Sequence, residues 1–199
     1  MDDIGFNMIA GLLLGYLLGS IPFGLLLTKA SGGGDIRNIG SGNIGATNVL
    51  RTGRKGLAAL TLLLDLLKGF FAVFIAADYL PGGAVFAAAG AFFGHLYPVW
   101  LGFKGGKGVA TYAGIMFGLF WQGGVVYAIA WIGALVIFRI SSLAGLLAAL
   151  CAPIAAAYFG RYDLVALLVA CTLIVFVKHR TNIENLMDGT EPRIGKSKS

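Results

Sequence analysis

Apolar runs, each about as long as a membrane-crossing helix, follow one another along nearly the whole chain. They fall at roughly 6–28, 57–78, 84–101, 109–121, 124–139, 143–160 and 162–177, with polar or glycine breaks between them. A hydrocarbon core about 30 Å thick takes roughly 20 apolar helical residues. The 199 residues therefore have room for about six or seven crossings and for no separate soluble domain. With 58% hydrophobic and only 12% charged residues, and a mean hydropathy of +0.85, a chain this short cannot hide its apolar side chains from water. The expected fold is an all-α polytopic membrane protein of about seven transmembrane helices, one domain over 1–199. Many of the 31 glycines lie among Leu, Ala, Val and Phe, where small residues let membrane helices approach closely, and others cluster in polar loops.

Charge sets the expected orientation. Joining 109–139 into one helix would put Arg139 and the Lys178-His179-Arg180 cluster on opposite sides, so the positive-inside rule favours a break at Gln122-Gly123-Gly124. With the N-terminus outside, the cytoplasmic connections hold Lys29, Arg37, Arg51, Arg54, Lys55, Lys104, Lys107, Arg139, Lys178 and Arg180, and the outer ones hold only Arg161. The tail with Arg193, Lys196 and Lys198 is also cytoplasmic, and its end from Gly195 to Ser199 reads as disordered. Asp2 and Asp3 stand where a signal peptide would be basic, so the first segment reads as a retained span. The net charge of +6 fits this bias and contact with anionic lipid; nucleic acid is not indicated. Cys151 and Cys171 lie mid-run and read as inert packing.

Four polar segments are expected on that face, in loops 30–55, 102–108, 139–142 and 178–191. In the first, Gly40-Ser41-Gly42-Asn43-Ile44-Gly45-Ala46-Thr47-Asn48 leads to Arg51: glycines free the backbone for a concave turn, and Ser, Asn and Thr offer short hydrogen-bonding groups suited to phosphate oxygens. Its Gly40, Gly42 and Gly45 match a dinucleotide fingerprint, but no strand precedes them. In the second, Gly102-Phe103-Lys104-Gly105-Gly106-Lys107-Gly108 feeds a helix starting near Val109, whose free N–H groups and positive dipole end suit an anion. It is no Walker loop, since Leu101 and Gly108 stand where that motif needs Gly and Ser or Thr. Arg139-Ile140-Ser141-Ser142 reads either as a helix-capping turn or as a site wall, and Lys178 to Asn185 either as a stop-transfer flank or as a wall of an anion site. Asp65 and Lys68, one turn apart inside the second run, read as a structural ion pair; His95 is a structural or a substrate-contacting residue. No spacing suggests a metal, a cofactor or a hydrolase triad.

Together these segments resemble the acyl-phosphate-dependent glycerol-3-phosphate acyltransferases of bacterial phospholipid synthesis. The resemblance spans nearly the whole chain. It rests on the 40–51 motif; on Gly94-His95 with Phe103 to Thr111; and on Lys178-His179, Asn182-Ile183 and Gly189-Thr190-Glu191. It implies that Ser41 and Arg51 are needed for activity, that the Lys104 loop binds the phosphate of glycerol 3-phosphate, that His179 and Asn182 belong to the site, and that Glu191 is structural. Glu184-Asn185 departs from the family, in which many members carry an Arg nearby. The H-x-x-x-x-D pattern of another acyltransferase family fails here, because Glu184 follows His179 and Trp100 follows His95 at that spacing.

The implied reaction is attack of the glycerol 1-hydroxyl on the carbonyl of an acyl phosphate, with phosphate leaving, in a bacterial cytoplasmic membrane. Activated in this way, the donor needs no enzyme nucleophile, and positioning and charge supply most of the catalysis. Ser41, nearby N–H groups and Lys104 are expected to hold the acyl phosphate, and Arg51, Lys107, Ser142, His179 and Asn182 to grip glycerol 3-phosphate. The base is either His179 or the substrate's own phosphate. Implied partners are the two substrates, membrane lipid and the soluble enzyme that supplies acyl phosphate. The competing reading is a membrane transporter of an organic phosphate, which would place its site near the midplane between repeated halves.

Overall fold

The structure is a computed structural model that describes residues 2–195, and every described element is helical. Lys196 and Lys198 of the cationic tail, and the end expected to be disordered, lie outside the described residues except for Gly195. The chain divides into two compact units between Leu119 and Phe120.

In the first unit, α1 (Asp2–Gly19) and α2 (Phe23–Ala30) are separated at Ser20-Ile21-Pro22, since Pro22 has no N–H with which to continue the ladder. Then come α3 (Ala46–Arg51), α4 (Lys55–Tyr79), α5 (Ala84–Leu96) and α6 (Val109–Leu119). Helices α1 and α5 are in backbone contact. A methyl group on Gly15 or Gly19 of α1 would overlap the carbonyl oxygen of Ala87 or Ala91, and one on Gly90 or Gly94 of α5 would overlap that of Leu12 or Tyr16. The α4–α6 pair is built in the same way, Gly69 against Thr111 and Gly114 against Leu66. In lipid there is little hydrophobic force between helices, and close van der Waals approach of this kind holds them together.

In the second unit, α7 (Trp121–Phe138), α8 (Ser141–Tyr158), α9 (Tyr162–Lys178) and α10 (Arg180–Met187) follow one another. Pro153 lies inside α8, so the Ala149 carbonyl loses its helical donor; Thr172 of α9 supplies one instead, its Oγ1 donating at 2.8 Å. Helices α9 and α10 meet at a bend of 62°.

Among the described residues five helical segments are long and apolar enough to cross a membrane, or six if the bent α9–α10 pair forms one span. Two of the seven expected spans differ from the sequence reading. The run 109–121 forms a helix of only 11 residues, and 162–177, which forms α9 (Tyr162–Lys178) as expected, reaches spanning length only when taken together with α10 across the bend. The break expected at Gln122-Gly123-Gly124 exists but falls at Phe120, whose backbone is extended, so both glycines lie inside α7.

Candidate active site

The loop before α3 is folded around its own small core. Ile36, Ile44 and Val49 are buried with Leu25 and Ala58. Asn48 organises the backbone above that core. Its Nδ2 donates to the carbonyls of Ile36, Ile39 and Asn43 at 3.0, 2.8 and 2.9 Å, while its Oδ1 accepts from the Ser41 N–H at 3.1 Å. Only 2% exposed, this side chain commits its donors to the loop, which it shapes. Gly40 and Gly42 take positive φ, which lets the chain reverse around the Asn48 amide. Ser41 and Thr47 are left exposed, with Asn43 and Gly45 partly buried beside them. Arg51 ends α3, exposed, its side chain lying along Gly40, and it forms no ion pair among the described residues. At the loop's start, hydrogen bonds from Arg37 hold the half-buried Asp35 carboxyl well below the usual carboxylate range.

The Lys104 loop is fastened to the end of α5. The N–H of Gly105 donates to Leu96 O at 3.1 Å and that of Gly106 to His95 O at 3.0 Å. Gly102 and Phe103 both take left-handed φ, turning the chain so that Lys104 is exposed. Gly106 and Gly108 are buried: a side chain on Gly106 would collide with the His95 ring, and one on Gly108 with Phe92. Lys107, half-buried, stands just before the N-terminus of α6. His95 itself is buried beneath the loop, near Asp65 and Lys68.

In the second unit, Glu191 accepts three hydrogen bonds: from Ser142 Oγ at 2.6 Å, from Asn182 Nδ2 at 2.6 Å and from Asn185 Nδ2 at 3.2 Å. It thereby ties the start of α8 to α10. Sequence reasoning gave Asn185 no role of its own; its spacing of three from Asn182 on one short helix was the signal available. The Ile194 N–H donates to Arg139 O at 2.7 Å, and Arg139 takes a left-handed conformation at the end of α7. His179, 3% exposed, occupies the α9–α10 bend, its Nδ1 2.8 Å from Val175 O. A carbonyl only accepts, so this bond puts the proton on Nδ1. Replacing Glu191 with Ala leaves Ser142 and Asn182 without the acceptor they share. The expected loss is about 1–3 kcal/mol of stability, with Glu191→Gln losing less, read as a lowered thermal unfolding midpoint in detergent.

Two basic, hydrogen-bonding loops on the first unit, and a glutamate-tied polar cluster on the second, are the features by which the chain can be compared with known proteins. A family model described as glycerol-3-phosphate acyltransferase matches residues 9–189. The chain belongs to the glycerol-3-phosphate acyltransferase family. Among its relatives is a glycerol-3-phosphate acyltransferase of Mesorhizobium japonicum, 60% identical over 190 residues, covering 96% of this chain and 97% of that one. Another, from Brucella ovis, is 58% identical over 198 residues and covers 98% of both chains. Among solved structures, the integral membrane glycerol 3-phosphate acyltransferase PlsY in its glycerol 3-phosphate form superposes with a TM-score of 0.89 at 36% identity, covering 94% of this chain and 96% of that one. The same protein in its lysophosphatidic acid form gives 0.86. The all-helical, multi-pass membrane architecture expected from the sequence is therefore that of an acyltransferase family, and the first two motif regions, with the third as far as Gly189, fall within the matched residues.

Proposed function

We propose that this chain transfers a fatty acyl group from acyl phosphate to the 1-hydroxyl of sn-glycerol 3-phosphate, giving 1-acyl-sn-glycerol 3-phosphate and inorganic phosphate. The observation that carries the reading is family membership over almost the full length, joined to two exposed cationic loops, at Arg51 and at Lys104, suited to phosphate groups. The hydroxyl oxygen forms the new ester bond to the carbonyl carbon; the bond from that carbon to the phosphate oxygen breaks, and phosphate leaves with the electron pair. Ser41 and Lys104 hold the acyl phosphate, with Lys104 stabilising the charge that grows on the leaving group. Arg51 and Lys107 bind glycerol 3-phosphate. Asn48 keeps the Ser41 loop in shape, and Glu191 holds Ser142 and Asn182 in place. The cationic loops face the cytoplasm of a bacterial inner membrane, as the concentration of Lys and Arg on one set of connections supports. There the soluble enzyme that makes acyl phosphate can deliver its labile product.

The hydroxyl proton passes to a phosphate oxygen, whose second pKa lies near neutrality. The burial of His179 and its bond to Val175 O favour a role in holding the bend. Purified protein in lipid, given palmitoyl phosphate and labelled glycerol 3-phosphate without metal or CoA, is expected to form labelled lysophosphatidate and release phosphate. His179→Asn, which keeps a donor for Val175 O, is expected to retain kcat within about tenfold; a loss of 100-fold or more in a folded variant makes His179 the base. No product from folded parent protein removes the enzyme reading and leaves uptake of labelled glycerol 3-phosphate into vesicles as the measurement of a transporter.

A further inference from the structure

Inside α4, Lys68 Nζ lies 2.6 Å from Asp65 Oδ1, with the two side chains 2% and 4% exposed. A buried ion pair seldom adds stability, because desolvation consumes most of the attraction. Within an apolar helix such groups usually serve a specific purpose. Both ends of this pair reach beyond α4. Lys68 Nζ also donates to Ile21 O at 2.8 Å, at the break that Pro22 imposes between α1 and α2, and lies 5.7 Å from the Phe23 ring. Asp65 Oδ1 faces His95 Nδ1 at 3.8 Å. The opposite edge of that imidazole, Nε2, lies against Gly106, so closely that no Cβ fits there, and the His95 carbonyl accepts the Gly106 N–H. A second strut runs parallel: Trp100 Nε1, three residues before Phe103, donates to Ser20 O at 2.7 Å. The cationic loop therefore rests on a histidine, the histidine faces an ion pair, and the ion pair is fixed to a helix break.

We propose that Asp65 and Lys68 are positioning residues for the anion-binding loop, setting the placement of Lys107 through His95 and Gly106 and thereby the affinity for the phosphate of glycerol 3-phosphate. This rests on the acyltransferase reading above. Neither residue touches substrate. Asp65 places its charge 3.8 Å from His95 Nδ1, beyond hydrogen-bond distance, so that it acts on that edge of the ring electrostatically, and Lys68 both neutralises Asp65 and anchors it to Ile21. The glycines at 105 and 106 are required by this arrangement, since the loop has to lie flat on the imidazole and on the Leu96 backbone. Misplacement of a phosphate-holding group by about 1 Å is enough to change turnover or binding substantially.

The test uses the full chain in lipid. Asp65→Asn and Lys68→Met are each expected to raise KM for glycerol 3-phosphate roughly tenfold, with kcat changed less than about threefold, and Lys68→Arg to stay near the parent. The signature of action through His95 is non-additivity: Asp65→Asn combined with His95→Gln should have the KM of His95→Gln alone. A single change leaves one buried charge unpaired. Where it prevents folding, the double variant Asp65→Asn/Lys68→Met, which removes both charges, takes its place, with the same tenfold rise in KM expected. An unchanged KM in folded variants, or loss of activity only in proportion to lost folded protein, overturns the proposal. A separate readout is the rise in unfolding temperature produced by glycerol 3-phosphate, which the variants should require about tenfold more ligand to match. A parent that binds glycerol 3-phosphate but makes no lysophosphatidate sinks the acyltransferase reading, whereas an active parent with unaltered variants sinks only this one.

Discussion

Arg51→Ala is expected to lower kcat/KM for lysophosphatidate formation by about 100-fold or more while leaving helix content and the unfolding midpoint within experimental error of the parent. The separation of the two effects follows from where the residue lies. Arg51 is the last residue of α3, a helix held in place from its other face by buried Val49 and by Asn48, and its exposed side chain runs along Gly40 toward the Ser41 turn. It is engaged in no ion pair among the described residues, unlike Arg37 with Asp35 and Arg161 with Asp163. A guanidinium unpaired beside a glycine turn is available to take two oxygens of one phosphate group, as the proposed function requires. Arg51→Lys keeps the charge but loses the fork, so it should fall between parent and Ala. Kinetics of the three proteins at matched folded concentration, with both substrates varied, provide the test. An Ala variant within threefold of the parent would show that Arg51 contributes no more than general positive potential.

The loops that carry Arg51 and Lys104 were legible in the sequence because they break the rule that surrounds them: polar and glycine-rich stretches among residues otherwise chosen for lipid. Their internal architecture was less so. Asn48 looked like one more hydrogen-bonding group in a phosphate loop, and only the fold shows its amide committed to the carbonyls of Ile36, Ile39 and Asn43. Asp65 and Lys68 were readable as a pair from their spacing, whereas the link to His95 depends on the packing of α4 against α5, which no local pattern encodes. Helix boundaries failed where hydropathy ran on through a change of backbone. Pro22 divides one apolar run into α1 and α2, Phe120 rather than the glycines after it parts α6 from α7, and beyond Lys178 a polar helix, α10, follows at an angle that hydropathy does not mark. Proline was a visible signal at the first of these. The others are decided by tertiary contacts, since an apolar run is compatible with a straight or a broken helix in lipid. Glu191 shows the same limit at the other end of the chain: its three donors come from α8 and α10, and only their convergence explains why a carboxylate sits half a turn beyond a glycine in a basic tail.

The α1–α5 seam should be the least forgiving part of the first unit. Gly15→Val is expected to abolish recovery of folded protein or to cost more than about 3 kcal/mol, because the added carbons overlap the Ala87 carbonyl, an atom that cannot rotate away as a side chain would. The two helices would have to part along a length that also includes Gly19 against Ala91 and Gly94 against Tyr16, and separation by even a methyl diameter forfeits the short contacts that substitute for hydrophobic force in lipid. Gly5→Val and Gly133→Val are the controls. Nothing lies within 4 Å of a Cβ at either position, so their cost should be limited to the small difference in helix preference between the two residues. The comparison is made on the yield of monodisperse protein after detergent extraction and on the unfolding midpoint, and a Gly15→Val protein as stable as Gly133→Val would show that the seam is not tight. The same seam reaches the end of the unit that carries the candidate site. α5 leads through His95 into the loop of Lys104, and α1 ends at the Ser20 carbonyl that Trp100 grips. Close packing of small residues along these two helices is thus what fixes the base on which the cationic loop stands, and the chemistry at the surface depends on contacts made deep in the apolar part of the fold.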